Sequence, residues 1–252
     1  MSNLTINNNV DFVNSLEIEL PTEKARSCNL TGPTFKTGEP AGYVDDSSIV
    51  SFVSGLSDEH KSDVLNSTLL AQLAANKKYD RWKDTEKWYK FYVDVLGKVG
   101  WVIQGFKFTE HSGSGMTLKV QDVILKLLAS IATENMILIV TETMEALKAL
   151  KDDDGRLVLF DSQSQSLGKG NFQIAVASEV GGNVATSIGA FYFNSKETKS
   201  RFLWFNYSKS DIHFFEGCQS ITLNEEVYAE VRDAVIKKLG DSAKTFVQDI
   251  EI

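Results

Sequence analysis

The sequence predicts an α+β fold, an antiparallel β-meander sheet covered by helices on both faces in α/β/α layers, with an extended N-terminal arm. Three observations predict it. Long stretches with apolar residues at helical spacing flank a run of strand-like segments joined by turn residues. Those strand-like segments lack the polar face of a half-exposed sheet, as a sheet covered twice should. Proline is confined to Pro21, Pro33 and Pro40, which leaves the rest free for uninterrupted helices and central strands.

Residues 1–45 read as the extended arm and residues 46–252 as one α+β domain. The prolines, with Gly32, Gly38 and Gly42, mark the arm, and "SLEIELP" (15–21) alternates as a strand within it. Ser57 is placed to N-cap a helix over 58–76, with Leu65, Leu69 and Leu73 as its inner stripe. A second helix spans 84–98. Trp88, Tyr92, Val95, Leu96 and Val99 share one face, and Gly97 and Gly100 end it. "WVIQGFKF" (101–108) reads as a strand closed by the turn "SGSG" (112–115).

Residues 117–151 carry the strongest helical pattern, as two stripes: Val120, Ile124, Leu127, Leu128 and Ile131, then Ile137, Val140, Met144 and Leu147. The polar "TEN" (133–135) either separates two helices or kinks one. "DDDG" (152–155) is a turn. Strands follow at 157–160, 172–179, 184–193 and 201–207, with weaker signals at 212–215 and 219–223, in a sequential antiparallel meander. A final helix starts at Asn224, with Val227, Tyr228, Val231, Val235 and Leu239 on one side. Gly240 closes it, and Asp241 opens a short last helix.

"QIAVASEVGGNVATSIGAFYF" (173–193) reads as a hairpin turning on Gly181-Gly182, a two-residue turn that needs positive φ. One face then carries Phe172, Ile174, Val176 and Ser178 opposite Phe191, Gly189, Ser187 and Ala185. The other carries Gln173, Ala175, Ala177 and Glu179 opposite Ala190, Ile188, Thr186 and Val184. Apart from Glu179 near the tip, neither face is charged. The sharp alternation of a lipid-and-lumen strand is confined to the tip, and the small Ala175, Ala177, Ala185 and Gly189 would admit helices closely. Ala175, Ala177, Gly181, Gly182, Thr186 and Gly189 are the candidate residues of a hairpin able to move or to meet a membrane.

Chemistry is excluded more readily than assigned. A net charge of −8 with basic residues scattered among acids disfavours nucleic acid as a partner. Cys28 and Cys218 make no disulfide framework, so either one long bridge or two free thiols is expected. His60, His111 and His213 fall in no metal-ligand spacing, and His60 is expected on an exposed first turn of its helix. His213, beside Phe214 and Phe215, is expected at a core edge. There is no Walker sequence, no nucleophile elbow and no strand-to-helix G-x-G-x-x-G, so no cofactor or metal is expected. "DDDGRLVLF" lacks the first oxygen ligand and the terminal Glu of a calcium loop. The 34 acidic residues single out no catalytic pair, and the reading leans away from an enzyme. The N-terminus has no basic and apolar leader, so a cytoplasmic location or release without a conventional signal is expected. No run of 18 apolar residues occurs.

Trp82, Trp88 and Tyr89 crowd one segment with Lys83, Lys87 and Lys90. Interleaved aromatic and basic residues can bind nucleic acid or sit at a lipid headgroup layer; the alternative is a core helix with a lysine-rich outer face. The order of helices, β-meander and last helix resembles that of cytolytic α/β toxins of similar size. That resemblance implies a non-enzymatic, membrane-interacting effector, a pore-forming or insecticidal-type toxin or virulence factor. Its partner would be a lipid membrane or a host cell-surface component, and its oligomeric state is open. Two other classes stand beside it: a soluble protein that binds a ligand or partner through loops such as 109–117 and 161–171, and an enzyme without a local signature.

Overall fold

The fold is described by a computed structural model over residues 3–20, 32–112 and 115–252. Eight α-helices are present among these residues: α1 Asn3–Ser15, α2 Asp58–Lys78, α3 Thr85–Lys98, α4 Val120–Leu128, α5 Glu134–Ala149, α6 Gly155–Ser164, α7 Glu225–Leu239 and α8 Ser242–Phe246. The strands are β1 Ala41–Asp45, β2 Ser48–Phe52, β3 Trp101–Val102, β4 Thr109–Glu110, β5 Thr117–Lys119, β6 Gln165–Ser166, β7 Lys169–Val180, β8 Asn183–Ser195, β9 Asn206–Ser208, β10 Ile212–Leu223 and β11 Val247–Ile250. Nine form one sheet in the order β11-β1-β2-β7-β8-β10-β3, with β4 also on β10 and β6 also on β7. Every pair in it is antiparallel except β2 with β7. The protein is therefore α+β, with a mixed, mainly antiparallel sheet.

Helices cover both faces because both faces are apolar or neutral. On one side Gln173 meets Tyr89 of α3 and Ser48 meets Gln72 of α2. On the other, Ser51 meets Thr143 of α5, and Ser187 donates to the Ile131 carbonyl beyond α4. That second face also buries Phe160, Phe172, Phe191, Phe193, Phe202 and Phe214, each at 1% exposure or less. Burying each such ring is worth roughly 2–3 kcal/mol. Gly42 lets α5 lie close on β1, since a Cβ there would sit 2.5 Å from Thr143 Cγ2.

Several elements form as their sequences predict. Ser57 caps α2 by accepting from the His60 N–H at 3.1 Å, and Leu65, Leu69 and Leu73 are buried. The face of α3 from Trp88 to Val99 is buried throughout. Of the two readings open at 133–135, the chain takes two helices, with Thr133 capping the second, while Thr117–Lys119, expected to be helical, pair as β5 with β9. Asn224 caps α7.

Other expectations are overturned. The extended arm begins as helix α1, and Leu16–Leu20 form no strand. The alternation there buries Leu16 and half-buries Ile18 against the core, while the Glu19 N–H finds the Leu73 carbonyl at 2.9 Å. β1 and β2 have no expected counterpart. Their two-residue turn is Asp46-Ser47, and Asp46 takes φ 53° where glycine is the usual marker. "LVLF" (157–160) is helical within α6. Asp154 caps it and Val158 is 39% exposed, an outward position that an unbroken apolar run conceals.

Residues 101–108 are paired only at Trp101–Val102, because the Gln219 side chain of β10 takes both backbone groups of Gln104. Residues 201–207 leave the main sheet: Phe202–Trp204 is a 3₁₀ turn and β9 pairs with β5. Arg201, at φ 55°, is held there by the Lys148 and Leu150 carbonyls at the end of α5. The two weak strand signals near residue 217 are one strand, β10. The meander is sequential only through β7, β8 and β10. β1-β2 joins it in parallel, and β11, which the sequence does not announce, returns beside β1.

Candidate functional site

The β7–β8 hairpin sits at the centre of the sheet, with the register its two glycines dictate. Gly181 and Gly182 have φ 60° and 80°, and Val180 faces Asn183. From there Ala177 opposes Thr186, Ala175 opposes Ile188, and Ile174 opposes Gly189. Ala175, Ala177, Thr186 and Gly189 are buried, whereas the tip is open and Val180 is 72% exposed. A Cβ at Gly189 would fall 2.6 Å from the Phe191 ring and 3.5 Å from Leu128 of α4, so this small residue makes room for an aromatic side chain and a helix together. The strands run 12 and 13 residues and carry two charges, Lys169 and Glu179.

One of those charges fastens the hairpin. Glu179 lies 2.7 Å from His60 Nδ1 and accepts from the Ser57 N–H. The other ring nitrogen of His60 faces Glu225, at the start of α7, at 3.5 Å. His60, expected on an exposed turn, has a side chain only 12% exposed. Its hydrogen bond to Glu179 is the first cause that holds that carboxyl below the usual range. Such a group adds stability above the ordinary carboxylate pKa and loses it as pH falls through the folded value. Glu179→Gln is therefore expected to lower stability at pH 7 by about 1 kcal/mol, the partly exposed share of a charge-assisted bond. Urea titrations should find the difference vanishing toward pH 3.

His60, Asp63 and Glu225 place ligand atoms within 4.8 Å of one another, the spacing of a cation site. Arg232 already fills it, donating to Asp63 at 2.8 and 2.9 Å and to Glu225. A metal ion there would have to displace a guanidinium. The other histidines also meet distant carboxylates: His111 faces Glu216 at 3.3 Å, and His213, exposed rather than at a core edge, faces Glu110 at 2.7 Å. Cys218 is half-buried on β10, and its possible pairing with Cys28 lies outside the described residues.

A second polar centre fixes the same hairpin from below. Arg81 donates to Ser47 Oγ at 2.6 Å and to the Asn171 carbonyl of β7 at 2.9 Å, and its Nη1 lies 3.6 Å from Asp46 Oδ2. Burial raises the Asp46 carboxyl to about 6 despite Arg81, and raises buried Asp45 well above the carboxylate range.

Trp88 and Tyr89 lie inside the protein and not at a surface. Trp88 stacks on Tyr92 at 5.4 Å and donates to Asn76, and the Tyr89 hydroxyl donates toward the Phe172 and Phe191 carbonyls. Only Trp82 of the three is half-buried, in a groove with Lys83, Lys87 and Lys169. Beside it, sharing Glu86 and Tyr192, opens a cavity of about 750 Å³ lined by Tyr89, Phe106, Phe108, Tyr192 and Phe215. Sequence spacing could not announce the His60–Glu179 tie, whose partners stand 119 residues apart, or this cavity, whose lining comes from distant segments.

No helix among the described residues is long and apolar enough to cross a membrane. No protein-family model matches the chain, and no curated protein matches its sequence. Among solved structures, the chain is similar to the Evf virulence factor at 12% identity, over 81% of this chain and 85% of that one, with a TM-score of 0.38. It is similar to a delta-endotoxin at 11% identity, over 71% and 81%, with a TM-score of 0.37. It is also similar to the activated Cyt2Ba monomer from Bacillus thuringiensis subsp. israelensis at 13% identity, over 53% and 77%, with a TM-score of 0.28.

Proposed function

We propose that this chain is a non-enzymatic effector that acts on lipid membranes, of the pore-forming kind, by exposing its central β-strands. One observation carries the reading. β7, β8 and β10 are consecutive antiparallel strands of 12, 13 and 12 residues, and each exceeds the roughly 9–11 that a strand needs to cross a bilayer. The β7–β8 pair brings only Lys169 and Glu179 as charges, and its polar groups are hydroxyls and amides that cost less than ions in lipid. In the folded chain these strands are sealed by helices, so the action requires the α4–α5 layer or the α2–α3 layer to lift.

Liposomes loaded with a self-quenching dye test this. Dye release and co-sedimentation with lipid are expected once the protein is shifted in pH or nicked by protease. Absence of both across pH 4–9 and after proteolysis would overturn the proposal.

A further inference from the structure

We propose that the cavity between α3 and the β8–β10 edge binds a small organic cation of the methylated-ammonium class. This inference stands apart from the membrane reading and needs no movement of the sheet.

The cavity exists because residues 103–108 leave the sheet between β3 and β4, and α3 forms the opposite wall. Its wall is a chain of five rings in succession. Phe106 lies 5.6 Å from Tyr89, Phe108 4.9 Å from Tyr89 and 5.0 Å from Tyr192, and Tyr192 stacks on Phe215 at 4.5 Å. All but Tyr89 are half-buried, so their ring surface is shared between core and solvent. At about 750 Å³ the space lies within the range of small-molecule sites.

Charge decides what would occupy it. Glu86, Asp94 and Glu110 line the cavity against a single ammonium, Lys90. Glu86 and Glu110 lie near enough to Tyr192 to add to the burial that pushes its phenol up. An anion would meet three exposed carboxylates, of which Glu110 also faces His213, and a neutral apolar ligand would draw no attraction from them. A methylated ammonium satisfies both parts of the wall: its diffuse positive charge sits over ring faces, and its methyl groups displace water from them. The carboxylates then supply long-range attraction.

Calorimetric titration of the full chain with choline tests this against 3,3-dimethylbutan-1-ol, in which carbon replaces the charged nitrogen. Choline is expected to bind saturably and about tenfold more tightly than its neutral isostere. Tyr192→Leu should weaken choline by about tenfold and Glu86→Gln by about threefold. Glu86 is exposed, so that variant keeps the test decisive even where Tyr192→Leu does not fold. Equal affinity for the isostere, affinity unchanged in Glu86→Gln, tighter binding of methyl glucoside than of choline, or no saturable binding would each overturn the proposal.

Discussion

Arg81→Met is expected to destabilise the fold by about 3–5 kcal/mol at pH 7, the cost of leaving a buried charge without its partner. Arg81 is 7% exposed and ties three elements: the α2–α3 loop that carries it, the β1–β2 turn at Asp46 and Ser47, and β7 at Asn171. Its guanidinium also lies about 5 Å from the Trp82 and Trp88 rings, packing that methionine only partly replaces. The groups that face Asp46 are Arg81, which lowers its pKa, and Glu19, which raises it, with Asp45 adjacent in sequence.

The pH dependence has a definite sign. Asp46 titrates near 6 in the fold against an ordinary value of 3.8. The folded state thus holds a proton that the unfolded chain releases between about pH 4 and 6. Stability is favoured below that window and lost as pH rises through it, by about 3 kcal/mol for this group. In Arg81→Met the same carboxyl is still harder to ionise, so the deficit should be largest at pH 7 and shrink at pH 5. Urea unfolding at the two pH values measures it. A deficit equal at both would mean that Arg81 acts through packing alone.

This centre also marks what sequence reasoning could and could not reach. Local chemistry was readable. Ser57 caps the helix its position promises, a helix starts at Asn224 as expected, and Gly181-Gly182 sets a register correct at every pair of the hairpin. Small, uncharged residues on both hairpin faces signalled two covering layers. What failed depended on context. "LVLF" fits a buried strand and a helix equally well until Asp154 caps it. The β1–β2 turn hides because an aspartate takes the left-handed conformation. Trp88 and Tyr89 stand among lysines in sequence, yet the helix turns them inward and leaves Lys87 and Lys90 in solvent. The candidate-site partners, His60 with Glu179 and Tyr89 with Phe108 and Tyr192, meet only after the chain has folded.

Oxidising a Ser51→Cys/Thr143→Cys pair is expected to reduce dye release from liposomes at least about tenfold, with full recovery on reduction. Ser51 lies on β2 beside β7, Thr143 lies on α5, and their hydroxyl oxygens are 2.9 Å apart. Cβ atoms that carry groups so close fall near disulfide spacing. The bridge would pin α5 over β1, β2 and β7, the apolar face that must be uncovered if these strands are to meet lipid. Cys28 and Cys218 are replaced by serine so that no other bridge forms.

A second bridge separates two ways of opening. Ala177 and Thr186 are directly opposed, at the second pair from the turn that exchanges no backbone hydrogen bonds. An Ala177→Cys/Thr186→Cys bridge joins β7 to β8 while leaving both covers free. Release that persists with this bridge means the hairpin enters the membrane as a unit; release that is lost means its strands must part. If the Ser51–Thr143 bridge leaves release unchanged, the α5 cover does not move, and exposure must come from the α2–α3 side. There Glu179 and His60 hold the hairpin, and Glu179→Gln should then accelerate release at neutral pH.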